Sequence, residues 1–291
     1  MAVVNTNVNA SVAQNALVRN ERSMNTAMER LSTGQRINAA KDDAAGLAIA
    51  SRMTSQIRGL DVGIRNANDA ISMISTADGA LVEVSNMLQR MRELALQASN
   101  GTTTSADRDY LNSEYVNLLA EMERIAQNTQ WNGRDILDGT ANGTSGTVAF
   151  QVGANGGQTV SVNFGNATNA AVASTSGLIQ DVNSAAATIT AGTTASALTK
   201  GTSAVTAIDT AITNISTQRA TFGAAINQLT YAVDNLSNVK VNSEAARSRI
   251  LDTDYAKETS ELARTQIIQQ AGTAMLAQAN QLPQTVLSLL Q

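Results

Sequence analysis

The stretch MTSQIRGLDVGIRNANDAISMISTADGALVEVSNMLQRMRELA, Met53 to Ala95, decides the fold. Its apolar residues Met53, Ile57, Leu60, Ile64, Ala67, Ile71 and Ile74 alternate spacings of four and three, the a/d seam of a long helix. Ala77, Leu81, Val84, Leu88, Met91 and Ala95 carry the seam onward after two successive steps of three. Such a stammer overwinds a coiled coil locally, and it falls beside Asp78-Gly79, where glycine weakens a helix.

A second seam runs through Val205, Ile208, Ile212, Ile215, Phe222, Ile226, Leu229, Val233 and Leu236, with Arg219 the one charged residue on its register. Two seams far apart in sequence predict mutual burial. Between them a shorter helix is expected, with Ser105 as its cap, Asp107 at its positive end and a stripe of Leu111, Tyr115, Leu118, Leu119, Met122 and Ile125. Thr102 to Thr104 form the turn leading into it. The economical packing of these elements is a long antiparallel helical bundle, so the chain reads as mainly α.

The middle of the chain changes character. Val148, Phe150 and Val152 alternate with polar or small residues, a glycine-rich turn follows at Gly153 to Gly157, and Val160, Val162 and Phe164 alternate again. That pattern predicts a β-hairpin. From Asn166 to about Lys200 Ala, Ser and Thr dominate, which predicts a short, exposed, weakly ordered surface insert.

Composition removes much chemistry. The 291 residues include no Cys and no His, so a Ser-His-Asp triad, a Cys nucleophile, an imidazole or thiolate metal site and a disulfide framework are all excluded. With one Trp, four Tyr and three Phe, the interior must be built from aliphatic side chains. A formal charge of -4 without long Lys or Arg runs argues against a nucleic-acid footprint, and no apolar run is long enough to span a bilayer. No cofactor is implied. Asp42-Asp43 and Asp252-Thr253-Asp254 lack the spaced acidic loop of a calcium site and read as helix caps.

The two ends are alike in kind. Val8, Ala13, Leu17, Met24, Met28 and Leu31 give the N-terminal segment a sparse helical stripe, and Leu262, Ile267, Ile268, Ala271, Met275, Ala279, Leu282 and Val286 do the same near the C-terminus. Neither stripe buries enough to offset chain entropy alone. Both segments are therefore expected to be disordered in a free monomer and to become helical against each other and against further copies of the chain, with Leu17, Met24, Leu31, Leu262, Ile267, Ile268, Met275 and Leu282 as the assembly residues.

Leu31-Ser32-Thr33-Gly34 with Arg36-Ile37-Asn38 and Lys41-Asp42-Asp43-Ala44-Ala45-Gly46 resembles the N-terminal signature of bacterial flagellins. Ser248-Arg249-Ile250 with Asp252, Asp254, Ala256 and Glu258 is similar to that family's C-terminal signature. Trp131-Asn132-Gly133 and Leu137-Asp138-Gly139 resemble a third family element. The resemblance implies a non-enzymatic subunit of the flagellar filament, secreted by type III flagellar export. It also implies an inner coiled-coil domain over 1–40 and 255–291, a helical bundle over 41–140 and 201–254, and a hairpin with a short variable insert over 141–200. That makes a short form without large outer domains. The related alternative is a hook–filament junction protein.

The resemblance implies partners as well: further copies of the chain, the filament cap and junction proteins, and an export chaperone meeting Leu282, Val286, Leu287, Leu289 and Leu290. Gln89-Arg90-Met91-Arg92-Glu93-Leu94-Ala95-Leu96 resembles the segment that the vertebrate Toll-like receptor for flagellin binds, with Glu114 as a supporting contact on the next helix. Read from the residues alone, Arg90, Arg92 and Glu93 are the solvated side of a bundle helix.

Overall fold

The computed structural model describes residues 7–141, 146–168 and 194–288, and side chains throughout these except at 194–200 and 282–288. The described residues form helices α1 (Val8–Thr33), α2 (Ala44–Ala98) and α3 (Ser105–Asn128), strands β1 (Gln130–Trp131), β2 (Arg134–Asp135), β3 (Thr147–Gln151) and β4 (Thr159–Asn163), and helices α4 (Thr194–Leu251) and α5 (Tyr255–Ser288). They fall into two compact units, Met1–Ile57 with Val241–Gln291, and Arg58–Lys240. Most of the expected insert lies outside the described residues.

Arg58–Lys240 holds the main core. The seam residues Leu60, Ala67, Ile74, Ala77, Leu81, Val84, Leu88, Met91 and Ala95 of α2 are buried. The helix runs unbroken through the stammer at Asp78-Gly79, because burial of Ile74, Ala77 and Leu81 on either side outweighs the weak propensity of one glycine. The second seam is fully buried along one line and half-buried along the other. Ile208, Ile215, Phe222 and Leu229 of α4 are fully buried, one every seven residues, but their companions in the core are Ala204, Ala211 and Ala225. Ile212 and Ile226 are only partly buried at its edge. Alanine on the inner line lets backbones approach closely, a geometry that a seam assembled from large side chains does not anticipate.

The start of α3 also differs from expectation. Thr104, not Ser105, is the N-cap: its side chain accepts from the Asp107 N–H, and the Asp107 carboxylate accepts from the Thr104 N–H. The reciprocal spacing of three selects Thr104, since Ser105 stands only two residues before Asp107. Tyr115, Leu119 and Met122 then enter the core as their stripe predicts. Burial pushes the Tyr115 phenol well above its ordinary pKa.

The predicted hairpin is β3–β4, antiparallel, with Val148 opposite Val162 and Phe150 opposite Val160. Val148, Val162 and Phe164 are buried, and Phe164 sits 5.4 Å from Phe222 and 6.5 Å from Phe150 between ring centroids. The hairpin lies on α2 at Gly63, where an added Cβ would stand 2.7 Å from the Val152 carbonyl oxygen. Asn66 Nδ2 donates to Gln151 O nearby at 3.0 Å, and on the other side Gln218 Nε2 of α4 donates to Asn163 O at 2.6 Å. A smaller hairpin, β1–β2, turns through Asn132 and Gly133, both at positive φ, the pattern of a two-residue type I′ turn.

In the other unit, α1 and α5 lie antiparallel. Asn7 Nδ2 donates to Ala279 O, Asn20 Nδ2 to Thr265 O at 2.7 Å, and Arg30 pairs with Glu258 at 3.1 Å, so positions rise on one helix as they fall on the other. Leu17 fills the space that Gly272 leaves, within 2.5 Å of where a Cβ would be.

Candidate functional site

The two signature segments, more than 200 residues apart, fold against each other. Gly34 ends α1 in the left-handed conformation, its N–H bonding Arg30 O at 2.9 Å. A side chain there would be strained and would meet the Tyr255 hydroxyl. The chain then runs beside the α4–α5 connection: Arg36 N donates to Leu251 O at 2.6 Å, Thr253 N to Gly34 O at 3.1 Å, and Gln35 bridges Asp252. Arg36 Nη2 reaches Ile250 O at 2.9 Å. The backbone N–H groups of Arg36 and Thr253 and the Arg36 guanidinium thus close carbonyl valences that the two loops would otherwise leave open.

Of the acidic residues expected as caps, Asp43 and Asp254 serve as such, whereas Asp42 binds the preceding loop and Asp252 accepts from the Ser248 hydroxyl at 2.6 Å. Asp43 Oδ1 accepts from Gly46 N at the start of α2, and Asp254 Oδ1 accepts from Ala256 N at the start of α5. Asp42 Oδ2 ties down the N–H groups of Asn38 and Ala39, and the bond from Ala39 is the chief reason its carboxyl lies below the ordinary range. Beside these caps a charged groove of about 600 Å³ is lined by Arg22, Arg30, Arg249, Asp252, Lys257 and Glu258, among others. Glu258 is 7% exposed and its charge is met by Arg30.

The expected assembly residues divide into two groups. Leu17, Met24, Leu31 and Leu262 are half-buried, whereas Ile267 and Met275 are each 66% exposed and Ile268 is exposed as well. Val12 and Val18, absent from the predicted stripe, add to the exposed apolar surface of α1. The side chains of Leu282, Val286 and Leu287, and all of Leu289 and Leu290, lie outside the described residues.

The proposed receptor segment forms a polar surface shared by three helices. Arg90 Nε pairs with Glu114 of α3 at 2.9 Å and its Nη1 with Glu93 at 2.9 Å, while Arg92 forks onto Asp209 of α4 at 2.6 and 3.4 Å. Gln89 is exposed beside them. Leu94 is 1% exposed and belongs to the core, so it anchors the helix and presents no side-chain surface. Asp209 had no signal in sequence, because its role depends wholly on how α4 lies against α2.

The described residues thus form a pair of antiparallel terminal helices in one unit and a helical bundle bearing a hairpin in the other. Residues 4–142 match the bacterial flagellin N-terminal helical region and residues 205–290 the bacterial flagellin C-terminal helical region. The chain is 45% identical over 289 residues to a flagellin of Halalkalibacterium halodurans, covering 99% of this chain and 100% of that one. It is 37% identical over 381 aligned positions to flagellin A of Vibrio cholerae, covering 99% of each. A putative flagellar hook-associated protein from Vibrio parahaemolyticus shares the fold, with a TM-score of 0.60 at 16% identity over 72% of this chain and all of that one. The chain belongs to the bacterial flagellin family, a family of structural proteins.

Proposed function

We propose that the chain polymerises through α1 and α5 into the flagellar filament that drives swimming, and has no enzymatic role. The observation supporting this is the exposure of Ile267, Ile268 and Met275 on a helix whose other side is already satisfied by α1. Large apolar side chains held in water along one face become favourable once another copy covers them. In this reading 1–40 and 255–291 form the inner wall, 41–140 and 201–254 the surrounding shell, and 141–200 its outer decoration. Export, capping and junction partners meet the same terminal segments at other times, with the export chaperone on Leu282 to Leu290.

The dissociated monomer presents Gln89, Arg90, Arg92, Glu93 and Glu114 to the host receptor. Polymerisation would cover that surface.

Electron microscopy of the full chain after seeded polymerisation, beside the same protein cut to residues 41–254, tests the proposal. Filaments from the full chain and none from the shorter one are the expected result. No filaments from either, even on seeds, would favour the alternative of a hook–filament junction subunit, whose low copy number in sheared filaments would then decide the matter.

A further inference from the structure

The described methionines differ sharply in exposure. Met73, Met91 and Met122 are sealed in the Arg58–Lys240 core, while Met24, Met53 and Met87 are half-buried. The two exposed methionines among the described residues, Met28 at 46% and Met275 at 66%, both lie on the α1–α5 pair. Met275 stands seven and eight positions beyond Ile268 and Ile267, two helical turns along the same side.

We propose that Met28 and Met275 are oxidation sites through which peroxide switches off polymerisation. This rests on the reading of α1 and α5 as the assembly surface. The thioether sulfur attacks one oxygen of hydrogen peroxide, the O–O bond breaks, sulfur is oxidised by two electrons to the sulfoxide, and the remaining oxygen leaves as water. A thioether is apolar and adaptable, whereas a sulfoxide is polar and chiral. In the free chain the new oxygen stays hydrated, so folding is untouched. Between copies it must be buried without a partner, so the penalty falls on assembly alone. The enclosed Met73, Met91 and Met122 react last, which keeps the bundle intact at doses that modify the terminal pair.

The test treats full-length monomer with graded hydrogen peroxide and follows three readouts: sulfoxide position by peptide mass spectrometry, thermal unfolding by circular dichroism, and seeded elongation by light scattering. Met28 and Met275 should be modified first, with the unfolding midpoint unchanged and the critical concentration raised about tenfold or more. Methionine sulfoxide reductase should restore elongation. An M28L/M275L variant, whatever its own basal rate, should show the same elongation with and without peroxide. Normal elongation with sulfoxide at both sites would overturn the switch alone, as would equal peroxide sensitivity in the double variant or earlier modification of the core methionines. Untreated protein that never elongates on seeds would overturn the assembly reading and the switch with it.

Discussion

Arg219 Nε of α4 lies 2.8 Å from Asp78 Oδ1 of α2, so the one charge on the second seam meets the acidic residue at the stammer of the first. Both side chains remain more than a third exposed, and the pair marks register between the helices more than it adds stability. A double-mutant cycle on Arg219→Ala and Asp78→Ala should give a coupling of about 0.5 kcal/mol in urea unfolding that fades with added salt. Coupling well above about 1 kcal/mol, or none that responds to salt, would contradict a solvent-screened pair.

Two glycines of α2 should respond to alanine with opposite sign. At Gly63 the new methyl meets the Val152 carbonyl, so the hairpin must shift and stability should fall by roughly 1–3 kcal/mol. At Gly79 nothing stands within 4 Å, so alanine should raise stability by up to about 1 kcal/mol. Thermal melts of the two single variants check both directions in one experiment.

The Thr104 cap should show in mutation and in pH. Thr104→Ala should cost about 1 kcal/mol. The Thr104 hydroxyl, and then its N–H, hold the Asp107 carboxyl below its ordinary value of 3.8. A depressed folded-state pKa contributes stability above the unfolded value and loses it as pH falls through the folded one. The stability difference between the natural chain and Asp107→Asn should therefore be flat at neutral pH and shrink below the ordinary aspartate range, as read by urea midpoints. A difference that grew on acidification would show that the sign is wrong.

Ile267→Asp should abolish filament formation while leaving the helical content and melting of the monomer unchanged, because the position is exposed in the single chain. Normal filaments from this variant would remove α5 from the assembly surface.

The long seams, the β3–β4 hairpin and the capping role of Asp43 and Asp254 were legible in the sequence because each is written in local spacing. What was not legible depends on neighbours. The alanine line Ala204, Ala211 and Ala225 carries little hydrophobic weight in a pattern and becomes core only when α4 sits close to its partners. Thr104 and Ser105 are both good caps, and the choice falls to the one in reciprocal reach of Asp107. The signature motifs were visible as strings. That Arg36 and Thr253 stitch the two strings together through Leu251 and Gly34 required the backbone.

The pairing of α1 with α5 also bears on the order in which the chain folds. Asn20 and Thr265 are 245 residues apart, yet share a hydrogen bond. Closing so long a loop is entropically expensive from a disordered chain, but the cost grows slowly with length, by about 0.6 kcal/mol per doubling, and shrinks once the intervening residues are compact. The Arg58–Lys240 bundle contains nearer neighbours in sequence and can condense first. Lys240 pairs with Asp61 at 2.7 Å near the two ends of that unit, so its formation sets the flanking segments side by side and the pairing of α1 with α5 becomes a short-range docking event instead of a search by two remote ends.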